Sequence, residues 1–228
     1  MEFGLLAAAV ASLAAAWLVL RATGSASLFD VVLTAAVVGM LAGRLGAMIS
    51  AGTNPVTRPL DILIVRGGVD TVVASAAALG HLVWFSRRAL WATLDAIAPA
   101  VVAALSVWDA ACLAGDTCLG TPSDLPWAWS ASAEGVTRHP TEIYAALGLA
   151  AVGGILLLLR GRLMARPGVL SAAALLAVAG VRLATEPLRV AIGARPGWWY
   201  ATGAVAGGVL LVWRTRVRQD GATHDLRP

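Results

Sequence analysis

The sequence predicts an all-α integral membrane protein whose chain crosses the membrane seven times. Its 228 residues are 59% hydrophobic and only 13% charged, and the mean hydropathy is +0.79. A soluble domain carries about 25% charged residues. The apolar residues form long runs of Ala, Leu and Val rather than the alternating pattern of a strand in a membrane β-barrel. Soluble proteins and membrane barrels are therefore excluded.

Seven hydrophobic segments account for the helices in chain order: residues 3–20, 28–49, 69–85, 96–113, 142–159, 169–185 and 199–213. Spans of about 20 residues each use about 140 residues in all, so seven fit. We expect one transmembrane domain over residues 1–214, followed by a short, disordered cytoplasmic tail over 215–228. The polar stretch of about 114–141 predicts a small periplasmic or extracellular cap between the fourth and fifth helices. Residues 54–66 are expected to lie in the membrane interface.

The arginines predict the orientation. All 17 basic residues are arginines, and 13 acidic residues leave a net charge of +4. Ten arginines fall in the loops on one side and five on the other, and Arg44 and Arg182 lie within spans, which makes 17. By the positive-inside rule the side with ten is cytoplasmic, so the N-terminus is outside and the C-terminus inside. The basic pI reflects this bias, and no nucleic-acid partner is expected.

Three charges within spans are the first candidates for a functional site. An arginine at membrane depth costs at least about 2.5–3.5 kcal/mol, and such groups usually face a cavity and bind something. Arg182 and Glu186 are four residues apart, so they can pair on one helix face. The alternative is an ion pair that only holds the helix. Arg44 lies between Gly43 and Gly46, which indicates close packing around it; the alternative is an arginine that reaches to the interface.

A second candidate is the run Arg138-His139-Pro140-Thr141-Glu142-Ile143-Tyr144, which leads into the fifth span. Pro140 suits the first turn of a helix. The free N–H groups of that turn, beside Arg138 and His139, would form a site for an anion such as a lipid phosphate. The alternative is an ordinary helix cap with an interfacial tyrosine. Two cysteines, Cys112 and Cys118, and three histidines predict no metal site, and a disulfide between the cysteines is only weakly indicated.

The order and spacing of several short motifs make the chain similar to the bacterial prolipoprotein diacylglyceryl transferases over nearly its whole length. Each motif alone is weak. They are Ala42-Gly43-Arg44-Leu45-Gly46, Pro59-Leu60-Asp61, Arg66-Gly67-Gly68, Ala96-Ile97-Ala98-Pro99, Gly115-Asp116, Gly120, Pro122-Ser123-Asp124-Leu125-Pro126-Trp127, Arg138-His139-Pro140-Thr141 with Tyr144, and Arg182 with Glu186 and Arg189. The family also has seven spans, an outside N-terminus and an outward-facing head.

This resemblance implies a reaction and a set of roles. The family transfers a diacylglyceryl group from phosphatidylglycerol to the lipobox cysteine thiol of a prolipoprotein, and glycerol phosphate leaves. The chemistry needs a thiolate and cations at the phosphate. The resemblance places Arg182, Glu186, Arg138 and His139 in catalysis. It places Arg44, Gly46, Asp116, Gly120, Tyr144 and Arg189 in phospholipid binding. It implies no cofactor and a monomer in the bacterial cytoplasmic membrane. Its partners are an anionic phospholipid and a prolipoprotein signal peptide.

Three departures from the family pattern weigh against activity. Val72 falls on a family histidine, Trp108 or Asp109 falls on a critical family arginine, and Phe3 replaces a family tyrosine. His81 could stand in for the lost histidine, although a packed histidine is the simpler interpretation. Asp70 and Asp109 are new acids near the expected cavity. An enzyme is favoured, and the alternative is a non-catalytic member that binds an anionic phospholipid or a lipoprotein precursor. A lipid transporter is disfavoured because the sequence shows no internal repeat.

Overall fold

The computed structural model describes residues 2–57, 68–114, 120–130, 135–190 and 197–224. These residues form seven α-helices, each of which overlaps one predicted span. They are α1 (Glu2–Ala22), α2 (Phe29–Ser50), α3 (Thr71–Ser86), α4 (Leu90–Ala110), α5 (Thr141–Leu163), α6 (Val169–Thr185) and α7 (Gly197–His224). Short 3₁₀ turns at Ala26–Leu28, Ala111–Ala114 and Glu186–Leu188 lie next to helix ends.

Four segments of the described chain are long and apolar enough to cross a membrane. They are Ala26–Ser50, Leu90–Leu113, Thr141–Leu163 and Val169–Leu188. The apolar part of α1 (Ala7–Ala22) and α3 (Thr71–Ser86) are shorter. The chain is therefore an all-helical protein with several membrane-capable helices, and the count of seven crossings and their orientation stay predictions.

The central helix of the bundle is α4, which packs against α1 on one side and against α5 and α6 on the other. One cluster of buried apolar side chains joins α1, α2 and α4 around Leu20 and Ile97. A second joins α4, α5 and α6 around Val102, Leu149 and Leu170. In the remaining helix pairs, α2 packs on α3 and α6 packs on α7.

Glycines allow α2 and α3 to pack closely. Gly39 and Gly43 lie one turn apart on α2 and face the start of α3. A Cβ on Gly39 would meet the Ala74 carbonyl oxygen at 2.9 Å, and one on Gly43 would meet the Ala74 Cβ at 2.7 Å. Small residues at this spacing let two helix backbones approach closely. The expectation of tight packing around Arg44 is confirmed.

A carboxylate from α4 caps the N-terminus of α6. Asp95 is 1% exposed. Its Oδ2 accepts a hydrogen bond from the Gly168 amide at 2.6 Å, and its Oδ1 accepts one from the Ser171 amide at 2.8 Å. Helix N-termini leave four amides without partners, so this acid satisfies two groups that would otherwise be stranded in an apolar environment.

The described part of the cap, residues 120–130 and 135–140, is built on a short antiparallel ribbon. Strand β1 (Trp129–Ser130) pairs with β2 (Thr137–Arg138). An isolated bridge joins Pro122 to Arg138, and another joins Gly120 to Arg189. The second bridge fastens the cap to the segment that follows α6. The described part of this segment is thus structured, and its position outside the membrane stays a prediction.

The sequence predicts a disordered cytoplasmic tail over 215–228, and the structure continues the last helix into this stretch. Helix α7 continues to His224, so residues 215–224 extend the last helix, and 225–228 lie outside the described residues. No proline interrupts this stretch, and the Thr215 hydroxyl donates to the Leu211 carbonyl one turn back. Much of the segment predicted to lie in the interface, 58–66, is also outside the described residues.

Candidate functional site

Most of the predicted site residues in the described chain lie at one end of the bundle. At this end α4 and α6 finish, α5 and α7 begin, and the cap is attached through its bridge to Arg189. We call it the cap end. The segment between α4 and α5 lies on this side, and α6 returns to it antiparallel to α5, so the packing of α4, α5 and α6 brings the carboxyl-terminal turns of α4 and α6 beside the first turn of α5.

Arg182 makes an ion pair with Asp109 across the contact between α6 and α4. Its Nη1 lies 3.1 Å from Asp109 Oδ1, in a hydrogen bond, and 2.9 Å from Oδ2. The side chains are 13% and 6% exposed. Desolvation strengthens the attraction between two such charges. Arg182 is therefore a largely buried cation whose position is fixed by an acid from another helix.

Glu186 is not the ion-pair partner of Arg182 among the described residues. Pro187 ends α6 after Thr185, and Glu186 begins a 3₁₀ turn in place of a further α-helical turn. The Glu186 amide still donates to the Arg182 carbonyl one turn back, so the two residues keep helical spacing, and the ion pair is missing because the Arg182 side chain turns to Asp109 instead. Glu186 is 9% exposed, and its Oε2 has no hydrogen-bond partner in the part of the chain that is described.

A second arginine lies next to this pair. Arg189 Nη2 is 3.8 Å from Glu142 Oε1 in the first turn of α5. The charges interact across the cluster, since Asp109 and Arg182 both act on Glu142 and Arg189 acts on Asp109. Two arginines and three acids thus meet where α4, α5 and α6 converge.

Gly120 fits the cap onto this cluster. Its amide donates to the His139 carbonyl at 2.8 Å, and the neighbouring Thr121 amide donates to the Leu188 carbonyl at 2.8 Å. A Cβ on Gly120 would collide with the Thr141 hydroxyl and the His139 carbonyl, and would lie 2.8 Å from the Leu188 carbonyl. The absence of a side chain is what allows the cap, α5 and the end of α6 to meet here.

The predicted anion site at the start of α5 is only partly present. Arg138 and His139 do lie at the helix entrance, and Arg138 Nη1 reaches the Gly120 carbonyl at 3.4 Å. The Thr141 amide, however, donates to the His139 carbonyl and the Ile143 amide to the Pro140 carbonyl. Because these amides already have acceptors inside the protein, they do not form a row of free donors for a phosphate.

His139 and Tyr144 form a small polar group with the cap. The Tyr144 hydroxyl accepts a hydrogen bond from Trp127 Nε1 at 2.8 Å and lies 3.4 Å from His139 Nδ1. The two rings meet edge to face, with centroids 6.1 Å apart. Trp127 is 60% exposed. This group lies at the surface of the cap end, unlike the buried Arg182 pair.

Arg44 is deeply buried beside the entrance to α3. It is 2% exposed, and its Nη1 donates to the Gly68 carbonyl. Gly46, one turn from Gly43 on α2, packs against Val73. Asp70, one of the two new acids, caps α3 by accepting hydrogen bonds from the Val72 and Val73 amides. Asp70 therefore has a structural role that an aspartate directly before a helix could have indicated.

Trp108 and Asp109, the two residues that could occupy the position of the family arginine, differ in burial. Trp108 is 37% exposed, whereas Asp109 is buried against Arg182. His81 lies in the middle of α3, where its Nε2 is 3.0 Å from Thr34 Oγ1, so it does not join the cap-end cluster. Asp116 and the side chain of Phe3 lie outside the described residues. Asp109 is the site residue to which sequence reasoning gave no role.

Two further expectations concern metals and cysteines. No group of three metal-ligating side chains occurs within the described residues. Cys112 is disulfide-bonded, and Cys118, the other cysteine in the sequence, falls in a stretch that is not described.

Comparison with known proteins gives a consistent family relationship. The sequence profile of the family described as prolipoprotein diacylglyceryl transferase matches residues 2–214. A phosphatidylglycerol–prolipoprotein diacylglyceryl transferase of Verminephrobacter eiseniae (strain EF01-2) is 26% identical over 205 residues, which is 82% of this chain and 74% of the relative. A protein of the same name from Polynucleobacter necessarius subsp. necessarius (strain STIR1) is 28% identical over 195 residues, 79% of this chain and 74% of the relative.

Proposed function

Since the chain belongs to the prolipoprotein diacylglyceryl transferase family, we propose that it transfers a diacylglyceryl group from phosphatidylglycerol to the lipobox cysteine of a prolipoprotein. The two relatives carry this activity in their names. The observation that supports it most is the largely buried Arg182 at the cap end, held against Asp109 with Arg189 close by. This places a poorly solvated guanidinium near the ends of membrane-capable helices, as a reaction on a lipid headgroup requires.

Arg182 has the properties of a group that stabilises the leaving phosphate. In the reaction the acceptor sulfur attacks the glyceryl carbon, and the bond from that carbon to the phosphate oxygen breaks. Negative charge therefore builds on the phosphate in the transition state. A fixed guanidinium in a water-poor site stabilises such charge far more than it would in water, and guanidinium binds phosphate oxygens in pairs.

The remaining site residues are proposed to hold the lipid around this centre. Arg189 and Arg138 would contact the phosphate or its glycerol. Glu186 and His139 would act on the reacting groups, and Tyr144 would bind at the outer edge of the headgroup. Arg44, with Gly46 beside it, lies deeper and would bind a second part of the lipid. Gly120 keeps the cap closed over the site, and Asp116 is proposed to line it.

The proposed setting is the bacterial cytoplasmic membrane, with the cap facing outward. Phosphatidylglycerol and the signal peptide of a prolipoprotein both reach such a site from the bilayer. No soluble cofactor takes part in the proposed chemistry, and a single chain is proposed to be sufficient.

A transfer assay tests the proposal. The purified chain in detergent is given labelled phosphatidylglycerol and a lipobox peptide with one cysteine, and the diacylglyceryl thioether is measured by mass spectrometry. We expect product from the wild type and a loss of at least about 100-fold in Arg182→Ala, the size of effect seen when one charge-stabilising donor is removed. Arg87→Ala is the matched control, since Arg87 lies beyond the last turn of α3 and stacks on Trp84, 4.5 Å from its ring.

A non-catalytic role remains the second candidate because Val72 and Phe3 stand where the family has a histidine and a tyrosine, and Trp108 or Asp109 stands where it has an arginine. A wild-type chain that binds phosphatidylglycerol but forms no thioether, while a family enzyme is active alongside, would favour this candidate. Equal product from Arg182→Ala and the wild type would remove Arg182 from the site.

A further inference from the structure

Asp109 is the one acid in the described chain that contacts Arg182, the residue proposed to stabilise the leaving phosphate. Both of its oxygens lie close to the same nitrogen, Arg182 Nη1, at 3.1 and 2.9 Å. Oδ1 is hydrogen-bonded. Oδ2 makes an ion contact without hydrogen-bond geometry, and it is buried. Arg182 is thus the cation in contact with the carboxylate, while Arg189 acts on it from farther away, and one carboxylate oxygen has no hydrogen-bond donor among the described groups.

A lipid phosphate and Asp109 must compete for Arg182. A phosphate oxygen that binds the Arg182 guanidinium displaces the Asp109 carboxylate from it or weakens the attraction between the two side chains. Asp109 is 5% exposed, so water cannot replace the lost cation. A buried carboxylate without a partner is costly, and taking up a proton relieves that cost. Binding of the lipid therefore makes the Asp109 carboxylate a better proton acceptor than it is in the ion pair.

We propose that Asp109 is a catalytic residue of this chain, the base that accepts the proton of the acceptor thiol once the lipid phosphate has engaged Arg182. This inference rests on the proposed function. The S–H proton passes to an Asp109 oxygen, and the sulfur lone pair forms the S–C bond to the glyceryl carbon. The C–O bond to the phosphate breaks, and its electron pair leaves with glycerol phosphate, held by Arg182. The proton then passes from Asp109 to the departing phosphate, and the ion pair re-forms.

The positions of the other titratable groups favour Asp109 for this step. His139 is engaged with Tyr144 at the surface of the cap end, and His81 lies in the middle of α3 beside Thr34. Glu142 faces Arg189. Glu186 is buried nearby, yet it does not contact Arg182, so binding of a phosphate there does not change its surroundings directly. Engagement of Arg182 by the lipid removes the hydrogen-bonded counter-charge from Asp109 itself, whereas Glu142 has only an ion contact of 3.8 Å with Arg189 to lose.

The test compares two acceptors that differ only in their need for a base. One lipobox peptide carries cysteine, and its matched partner carries selenocysteine, whose selenol is already ionised at neutral pH. With the cysteine peptide, Asp109→Asn is expected to lose about 100-fold or more in kcat, the usual contribution of a general base. With the selenocysteine peptide, kept reduced, the same variant is expected to stay within about ten-fold of the wild type. Asp109→Glu, which keeps the carboxylate, is expected to be less impaired than Asp109→Asn with the cysteine peptide.

A pH series provides a second measurement on the same variant. The free thiol ionises near pH 8.5, so the rate of Asp109→Asn with the cysteine peptide is expected to rise toward the wild-type rate as the assay pH approaches that value. If Asp109 only positions Arg182, the variant loses equally with both peptides at every pH, and the inference is overturned while the proposed function stands. A wild-type chain that modifies neither peptide overturns the proposed function and this inference together.

Discussion

Gly120 has no room for a side chain, and this makes it a sensitive position at the scale of single residues. Its amide and its Cα face lie against the His139 carbonyl, the Thr141 hydroxyl and the Leu188 carbonyl. These groups belong to the cap, α5 and the segment after α6. Any Cβ at this position must push apart three elements that together enclose the cluster around Arg182.

Gly120→Ala is expected to destabilise the protein by about 1–3 kcal/mol, the usual cost of overpacking, and to reduce transfer because the cap cannot close. Thermal unfolding in detergent and the transfer assay check both effects. Gly154→Ala is the matched control, because a Cβ at Gly154 in α5 meets nothing within 4 Å. A Gly120→Ala protein with wild-type stability and activity would show that the cap does not fit as described.

The contrast between Asp70 and Asp109 shows what can be read from single residues. Asp70 precedes a helix by one residue, so its role as an N-cap is a local pattern. Asp109 and Arg182 are 73 residues apart in sequence. Their pairing depends on the rotation of α4 and α6 about their axes, which spacing along one helix does not give. The same limit applies to the expected Arg182–Glu186 pair, since i, i+4 spacing on α6 does not show that an acid on α4 takes the guanidinium.

At the scale of elements, α6 depends on α4 for its first turn. Gly168 adopts a φ of +90°, which turns its amide toward Asp95, and the Ser171 amide reaches the other oxygen of the same carboxylate. Nearby, Arg214 of α7 donates to the Pro167 carbonyl at 2.7 Å and stacks on Trp91 of α4. The end of the bundle opposite the cap is therefore locked by polar contacts among three helices.

Asp95→Ala is expected to lower stability by about 2 kcal/mol, because two buried amides lose their acceptor at once. Thermal or denaturant unfolding in detergent measures the change. Asp30→Ala serves as the control, since Asp30 lies in the first turn of α2 and is exposed. Equal unfolding curves for Asp95→Ala and the wild type would contradict the capping role.

The helices themselves were well predicted from hydropathy, because burial in an apolar environment dictates the composition of each segment. The end of α7 was not predicted from hydropathy. The charged residues after Trp213 resemble a solvated tail, yet nothing in them stops a helix, and α7 continues to His224. Composition predicts where a helix leaves the apolar layer, whereas the end of the helix itself depends on a cap or a breaking residue.

At the scale of the whole molecule, the arginine distribution predicts which end of the bundle faces the cytoplasm. Reporter insertions test it. Alkaline phosphatase is expected to be active when inserted after Thr53 or Asp124, and green fluorescent protein to fluoresce when inserted after Ala89 or Ala165. This pattern requires crossings by both α3 and α4. The same reporter signal at Ala89 and Asp124 would contradict a crossing by α4 and with it the seven-helix topology.

The two links between α4 and α6 also bear on how the protein is made. A chain is synthesised from its N-terminus, so α4 is complete before α6 leaves the ribosome. When α6 enters the bilayer, Asp95 is already present to receive its first amides, and Asp109 is already present to receive Arg182. Arg182, the charged residue of α6, can therefore pair with Asp109 as soon as α6 packs against α4. Because α4 is synthesised before α6, the nascent protein passes through no stage in which Arg182 lies unpaired in an apolar environment.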